Sequence, residues 1–383
     1  MNIEGTELKV LYNSKNITAD VVRYALSVTY TDKTHGESDE IEIELEDVDA
    51  RWLNGWYPEK GAKLTVSIGE LKCGVFEIDE IGAKGPPDTV SIRGMATGIV
   101  NSLRTKKSDA HENKTLRQIA EKVAQKNALT IAGEIPEITI GRATQNQETD
   151  LAFLKRIAGQ FGIIFSVRES VITFTSVYGL EKRGESFVLD KTDLTSYTIK
   201  DKATGAVKSA KVKSKSAKDN EKVEADLEYK KWQEEEGYKY EDIENQDEAV
   251  THVRVENKQQ AEAVAKSVMH LSASNQQEGS ITIKGNGLAV AGNNFTFTGI
   301  GKLSGKWNIK ESTHKLDKSG GYTTDCEIKR LQTPTNIQRI SKAKKKTKRP
   351  SSTTVENYKK MIYDPVNTGN IITFVPNTNP FNE

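Results

Sequence analysis

The sequence predicts an α+β fold that is mainly β, with two antiparallel β-barrel-like domains flanking a small helix-hairpin α+β unit. Three patterns point to it. Short alternating apolar runs broken by turn residues fill the first hundred or so positions, two amphipathic helical stretches and a strand pair occupy the middle, and strand-like runs return from Phe187 and close at Leu331. The chain has 383 residues, which on length alone suggests about 2 to 3 domains. The expected partition is 1–105 for the first β domain, 106–180 for the α+β unit, 181–332 for the second β domain with an acidic and helical insertion at about 230–275, and 333–383 for a basic linker and C-terminal extension.

The N-terminal runs are TELKVLYN, VVRYALSVTYTD, DEIEIELED, AKLTVSIGE, LKCGVFEIDEI and DTVSIRGMA. In DEIEIELED, Ile41, Ile43 and Leu45 alternate with Glu40, Glu42, Glu44 and Glu46. One face of that strand therefore meets a core and the other meets water or a basic partner. Repeated at this spacing, such strands make an antiparallel barrel or sandwich and not a dinucleotide-binding unit.

In TLRQIAEKVAQKNALTI, Thr115 and Gln118 have capping-box spacing, and Leu116, Ile119, Ala120, Val123 and Ala124 form an apolar stripe. In QNQETDLAFLKRIAGQFGIIFSV, Thr149 is placed as a cap, Asp150 as a first-turn acid, and Leu151, Leu154, Ile157, Ala158 and Phe161 recur at helical spacing before Gly162 supplies a stop. A hairpin follows, IIFSV and VITFT, with Arg168, Glu169 and Ser170 as the turn.

Strand-like runs return in TSYTIKD and AVKSAKVKSKS, then break for EADLEYKKWQEEEGYKYEDIENQDEA and a helix, KQQAEAVAKSVMHLSAS, with Ala261, Val264, Val268 and Leu271 on one face. They resume at Gly279, so the second β domain is expected to be interrupted by this insertion. Beyond Leu331 the composition changes: Lys342, Lys344, Lys345, Lys346, Lys348 and Arg349 form a basic run without apolar periodicity, expected to be a solvated linker. The apolar stretches around Tyr363 and Phe374 suggest an end that docks on a partner.

Chemistry is sparse. The 55 Lys+Arg against 54 Asp+Glu leave no global field to announce nucleic acid or a membrane surface. Cys73 and Cys326 are too few for a disulfide framework or a zinc site and are expected to be buried free thiols. His35, His111, His252, His270 and His314 sit in unrelated contexts, and neither HExxH, CxxC, GxSxG nor a Walker loop occurs. His314 is expected to make structural hydrogen bonds. Glu148 and Asp150 read as capping and first-turn acids before a catalytic pair, because an apolar helix follows them. The expectation is a non-enzyme with no cofactor or metal. No N-terminal basic-then-apolar signal occurs, and no apolar run approaches the roughly 20 residues that span a bilayer. The chain is therefore expected to assemble in a cytoplasm without a membrane anchor.

The order of the middle elements resembles the phage late control gene D proteins, the baseplate or tail hubs of contractile-tailed phages, related also to the N-terminal hub part of type VI secretion spike proteins. The pattern falls on Thr115, Leu116, Ile119, Ala120, Gln145, Glu148, Asp150, Leu151, Phe153, Leu154, Arg156, Ala158, Gly162 and Phe165. Thr149 stands where the family pattern has Ser. A looser match covers the closing strands from Gly279 to Leu331. The resemblance implies two barrels around a helical unit and a ring of three subunits, a homotrimer that adapts a hexameric tail tube to a trimeric spike and lines the central channel. Tube, spike and other baseplate or tape-measure proteins are the implied partners. A virion tail, or a phage-like particle assembled in a host bacterium, is the implied location, with no sequence-specific nucleic acid. TLRQIAEKVAQKNAL also looks like the helix of a peptidoglycan-binding LysM module, so the alternative is a cell-wall-binding or wall-degrading component of the tail tip.

Overall fold

The computed structural model describes residues 2–331 apart from 4, 35–37, 97–104, 169–170, 203–205, 216–220 and 237–244. His35 and the tail residues Lys344, Lys345, Lys346, Tyr363 and Phe374 lie outside the described residues. The fold is α+β and mainly β.

Its largest element is one sheet of 14 strands. From the N-terminal side the order runs through Thr6–Tyr12, Lys63–Ile68, Leu71–Lys84, Thr89–Ala96, Glu40–Glu46 and Ala25–Lys33, then crosses to Gly305–Asp317, Gly321–Arg330, Gln277–Lys284 and Leu194–Asp201. The crossing is antiparallel, with Lys33 opposite Glu311 and Ser27 opposite Asp317. The two β domains expected as separate barrels thus share a sheet, and among the described residues no sheet closes into a barrel.

Strand Gly305–Asp317 makes the junction by dividing one of its edges. Its first residues, Gly305 to Asn308, pair with Asn294–Thr298, and Glu311 to Asp317 pair with Ala25–Lys33. The other edge pairs with Gly321–Arg330 along its length, with a register irregularity between Ile309 and Glu311. A bulge of this kind lets one strand bend between two partners.

The N-terminal strands form largely where the alternation places them. Ile41, Ile43 and Leu45 are buried among Leu8, Val10, Val28, Leu64, Val66 and Phe76. One expected strand is corrected: in VVRYALSVTYTD the first residues belong to the helix Thr18–Tyr24, and the strand starts at Ala25. Val21 and Tyr24 point into the core from that helix. The second core gathers Phe295, Phe297, Trp307, Ile309, Ile281, Ile283 and Ile328. Each such large side chain, fully buried, contributes roughly 1.5–3 kcal/mol relative to exposure.

Between these halves lie two smaller units. The first combines the helices Leu116–Lys126 and Asp150–Gln160, the hairpin Ile163–Arg168 with Val171–Ser176, the strand Thr130–Gly133 parallel to Val171–Ser176, and a two-stranded ladder of Lys107–Thr115 with Thr139–Glu148. The second holds Ser209–Lys215 between Lys222–Glu228 and Glu248–Thr251, covered by the helix Lys258–Ser274. Ser209–Lys215, from the run AVKSAKVKSKS, therefore pairs in this small sheet and not in the large one. Its core joins Val212, Leu227, Tyr229 and Trp232 to Ala261, Val264, Ala265 and Met269. The buried face of the helix is also corrected: Met269 and Ala273 are buried, Val268 is partly buried and Leu271 faces outward.

Candidate functional site

The family-motif residues converge on the first small unit. Thr115 caps the first helix in a reciprocal capping box: its hydroxyl accepts from the Gln118 backbone N–H, and the Gln118 side chain accepts from that of Thr115. Leu116, Ile119, Ala120, Val123 and Ala124 are all buried, as the stripe requires. Thr149 caps the second helix by accepting from the Ala152 N–H at 3.2 Å. That helix buries Phe153, Leu154, Ile157 and Ala158, while Leu151 is only partly buried. Phe153 takes the central place because it stacks on His111 of the ladder, with centroids 5.3 Å apart. After the helix Gly162 adopts φ +67, a left-handed conformation that glycine enters at no steric cost. Phe165 then meets Phe174 across the hairpin at 5.3 Å.

Asp150 is the polar centre. It is buried, and its carboxylate accepts from Lys107 Nζ at 2.6 Å, Gln145 Nε2 at 2.9 Å and Asn127 Nδ2 at 3.0 Å. These donors come from the first ladder strand, the second ladder strand and the end of the first helix, so one carboxylate ties three elements together. Burial pushes its pKa up, but the three donors outweigh burial and hold the carboxyl below its ordinary range. Glu148 takes a different role, accepting from both Nε and Nη2 of Arg156, whose Nη2 also donates to the Thr144 carbonyl at 2.8 Å. Arg156 lies over the Phe153 ring as well, 5.5 Å from its centroid. Nearby Asp109 receives Lys126 and Lys122 at 2.7 and 3.0 Å, and these two lysines keep its carboxyl strongly acidic.

Both acids of the supposed pair are therefore engaged by cations, Asp150 by Lys107 and Glu148 by Arg156. A glycosidase needs one of its two acids protonated near neutral pH, and Asp150 is driven the other way. Among the described residues no group of three or more His, Cys, Asp or Glu side chains is placed to hold a metal. Cys73 and Cys326 are free and buried, and burial raises both thiols, Cys326 to about 12.

A second polar cluster lies at the junction of the large sheet. His314, fully buried, has Nδ1 2.8 Å from the Tyr322 hydroxyl and 3.2 Å from Thr324 Oγ1, and Nε2 3.3 Å from Ser312 Oγ. The expected structural role of His314 fits this geometry. Sequence reasoning had passed over another pair, Asn294 and Asn308. Asn308 donates to Asn294 Oδ1 at 2.8 Å, and Asn294 donates to the Leu180 carbonyl at 2.7 Å, which fastens the short helix Val177–Lys182 to the second β half. Lys107 and Asn127 were missed too, and nothing near His111 signalled that it would be buried in the strand Lys107–Thr115. Only the Asn at the end of an amphipathic helix gave a signal, as a C-terminal stop.

The polar cluster ties together the elements of this unit, and the family motif lies on it. The probable baseplate hub proteins of Escherichia phages 186 and P2 are 31% and 33% identical over 169 and 172 residues, which cover 42% and 43% of this chain. The chain spans less than half the length of those curated relatives, 43% and 44%. The 43 kDa tail protein of prophage MuSo2 from Shewanella oneidensis shares the fold with a TM-score of 0.64 at 14% identity, over 84% of this chain and 98% of that one. The profile of the family described as phage tail baseplate hub (GPD) matches residues 101–320, more than half of the sequence and the whole of the motif cluster. On that match the chain belongs to the phage tail baseplate hub (GPD) family.

Proposed function

We propose that the protein is the structural hub of a contractile phage tail or a phage-like injection device, a trimer that seats on the end of the tail tube, carries a spike on its other side and lines the channel. The observation that carries this reading is the single sheet running through both β halves. Along it the core-facing residues alternate with an outer row that includes Glu42, Thr29, Thr313, Asp325 and Thr282, all at least partly exposed. A polar sheet face of mixed charge suits the wall of a wet channel, since it offers passing cargo neither an apolar patch nor a single-sign field.

Subunit contacts have candidate surfaces. Val48, Leu53, Trp56 and Tyr57 form an exposed apolar group on one connection, of the kind that partners cover. Among the described residues strand Leu194–Asp201 ends the sheet with no further strand beside it, and its Tyr197 is exposed. Three copies with two β halves each would present six similar units to a hexameric tube and threefold symmetry to a spike. In this reading Thr115, Gln145, Glu148, Asp150, Arg156 and Gly162 serve the fold of each subunit, and the protein catalyses nothing. The tail beyond Leu331, with Lys344 to Lys346, Tyr363 and Phe374, is assigned to contact with a neighbouring baseplate, spike or tape-measure protein. Light scattering on the purified chain with its tube and spike partners tests the reading: a three-copy mass is expected, and a monomer under all these conditions would refute it.

A further inference from the structure

The strands Gln277–Lys284 and Asn294–Thr298 are joined by a connection, residues 285–293, that crosses the seam between the two β halves. Both of its ends are fastened to the second half. The Gly285 N–H donates to the Tyr322 carbonyl at 2.8 Å, the Asn286 N–H to Thr324 Oγ1 at 3.1 Å, and the Gly292 N–H to the Ile309 carbonyl at 2.8 Å. Between those points it reaches the first half. The Ala291 N–H donates to Asp32 Oδ2 at 3.0 Å, and a methyl placed on Gly287 would stand 3.3 Å from Leu71 Cβ. Leu288, at the tip, is exposed.

What the connection covers is polar. Asp32, Ser312, His314 and Thr324 are fully buried, and the connection touches Asp32 through Ala291, Thr324 through Asn286 and His314 through the Ala289 backbone. Its root also lies on Tyr322, because a side chain at Gly285 would run into that ring. The connection itself carries no titratable side chain. Around His314, one flanking strand supplies Asp32 and Tyr30, whose hydroxyl donates to Asp39 at 3.2 Å. The other supplies Tyr322 and Cys326, and Cys73 lies within the influence of Asp32, Asp39 and Tyr322. Burial raises Tyr322 and both thiols, so these three stay neutral in acid. Asp32 and the Ala289 backbone favour a protonated His314 ring, but burial outweighs them and lowers its pKa to about 4.

We propose that residues 285–293 form an acid-released latch over the seam: closed, the latch seals Asp32 and His314 from water, and open, it leaves the two β halves joined by their strand ladder with the cluster hydrated. Water at the imidazole returns it toward the ordinary value near 6.5, so the open state takes up a proton at higher pH than the closed one. Acid therefore shifts the balance toward opening. The shift begins below about 6.5 and is complete near the closed-state value of about 4. Such an opening is local, with the strands beneath still folded. It holds whether or not the chain serves as a hub.

Hydrogen exchange of the full chain at pH 7 and pH 4.5, read by mass spectrometry and corrected for the intrinsic pH dependence of amide exchange, tests the latch. Exchange in peptides covering 285–293 should rise by more than about tenfold at pH 4.5 while the strand Ala25–Lys33 stays protected. His314→Gln should abolish that rise. Ala291 holds the second position of a turn in which the Asn293 N–H donates to the Val290 carbonyl at 3.1 Å and Gly292 has φ +88, a position that suits proline. Ala291→Pro therefore removes the N–H that binds Asp32 and keeps the turn. It should raise exchange of 285–293 by about fivefold or more already at pH 7. Equal wild-type exchange at the two pH values, a rise that His314→Gln retains, or a rise shared with Ala25–Lys33 would overturn the latch. Should His314→Gln lose the circular dichroism of the wild type, the other two arms decide: localised rises in both support the latch, and the failure of either overturns it.

Discussion

Tyr30 and His314 stack with ring centroids 5.9 Å apart across the strand pair that joins the two β halves. The hydroxyls of Tyr322, Thr324 and Ser312 surround the imidazole. A neutral ring, one nitrogen donating and the other accepting, can be satisfied by hydroxyls, whereas an imidazolium would bring into the interior a charge that Asp32 only partly offsets.

The junction should therefore weaken in acid. Burial lowers the His314 pKa to about 4, against a partial opposing pull from Asp32. The unfolded chain, at the ordinary value near 6.5, takes up the proton first as pH falls. His314 thus contributes stability that is full above about 6.5 and is lost between there and about 4, roughly 3 kcal/mol in all. Urea unfolding at pH 7 and pH 4.5 should show a smaller acid-induced loss for His314→Gln than for the wild type. Parallel losses in the two proteins would exclude the histidine as the cause.

Asp150→Asn should destabilise the fold by roughly 2–4 kcal/mol, since it removes the charge that holds Lys107 and turns an NH2 group toward a donor, Gln145 on one side or Lys107 and Asn127 on the other. Adding Lys107→Met should cost less than the sum of the two single changes, a coupling that a double-mutant cycle in urea measures. An Asp150→Asn chain of unchanged stability that failed to assemble would instead make Asp150 a partner contact.

On the long helix, Met269→Ala should cost about 2–4 kcal/mol and Leu271→Ser no more than about 0.5 kcal/mol. Met269 is fully buried and Leu271 is 37% exposed. Thermal unfolding of the two variants separates the observed face from the one through Val268 and Leu271.

Gly162→Ala should lose about 1–2 kcal/mol by placing a Cβ in the left-handed region. Its new methyl would also lie 3.2 Å from Ser267 Oγ. Ser267→Ala in the same chain should relieve only the crowding, so most of the loss should persist in denaturant titrations.

The local devices were legible in the sequence because their signals lie within a few residues of each other. Thr115 with Gln118, Thr149 before its helix, Gly162 after it, and the alternation around Ile43 all form as their spacing implies. The union of the two β halves was not legible: it depends on Ala25–Lys33 meeting Gly305–Asp317, strands from opposite ends of the sequence whose alternation fits many partners equally well. The long helix misled for a related reason. Positions 261, 264, 268 and 271 do share one arc of the helix, but Ala265, Met269 and Ala273 lie along the neighbouring arc, and only the strands beneath decide that this second arc faces the core. At the Asp150 cluster the acid was visible and its donors were not, since Lys107 reaches it from 43 residues away.

The central claim, a hub between tube and spike, is tested most directly by cryo-electron microscopy of tail particles whose copy of this chain carries a C-terminal tag. The account predicts three copies in a ring at the end of the tube, with the polar face of the long sheet turned to the lumen. A single copy away from the tail axis, or intact particles without the chain, would contradict it.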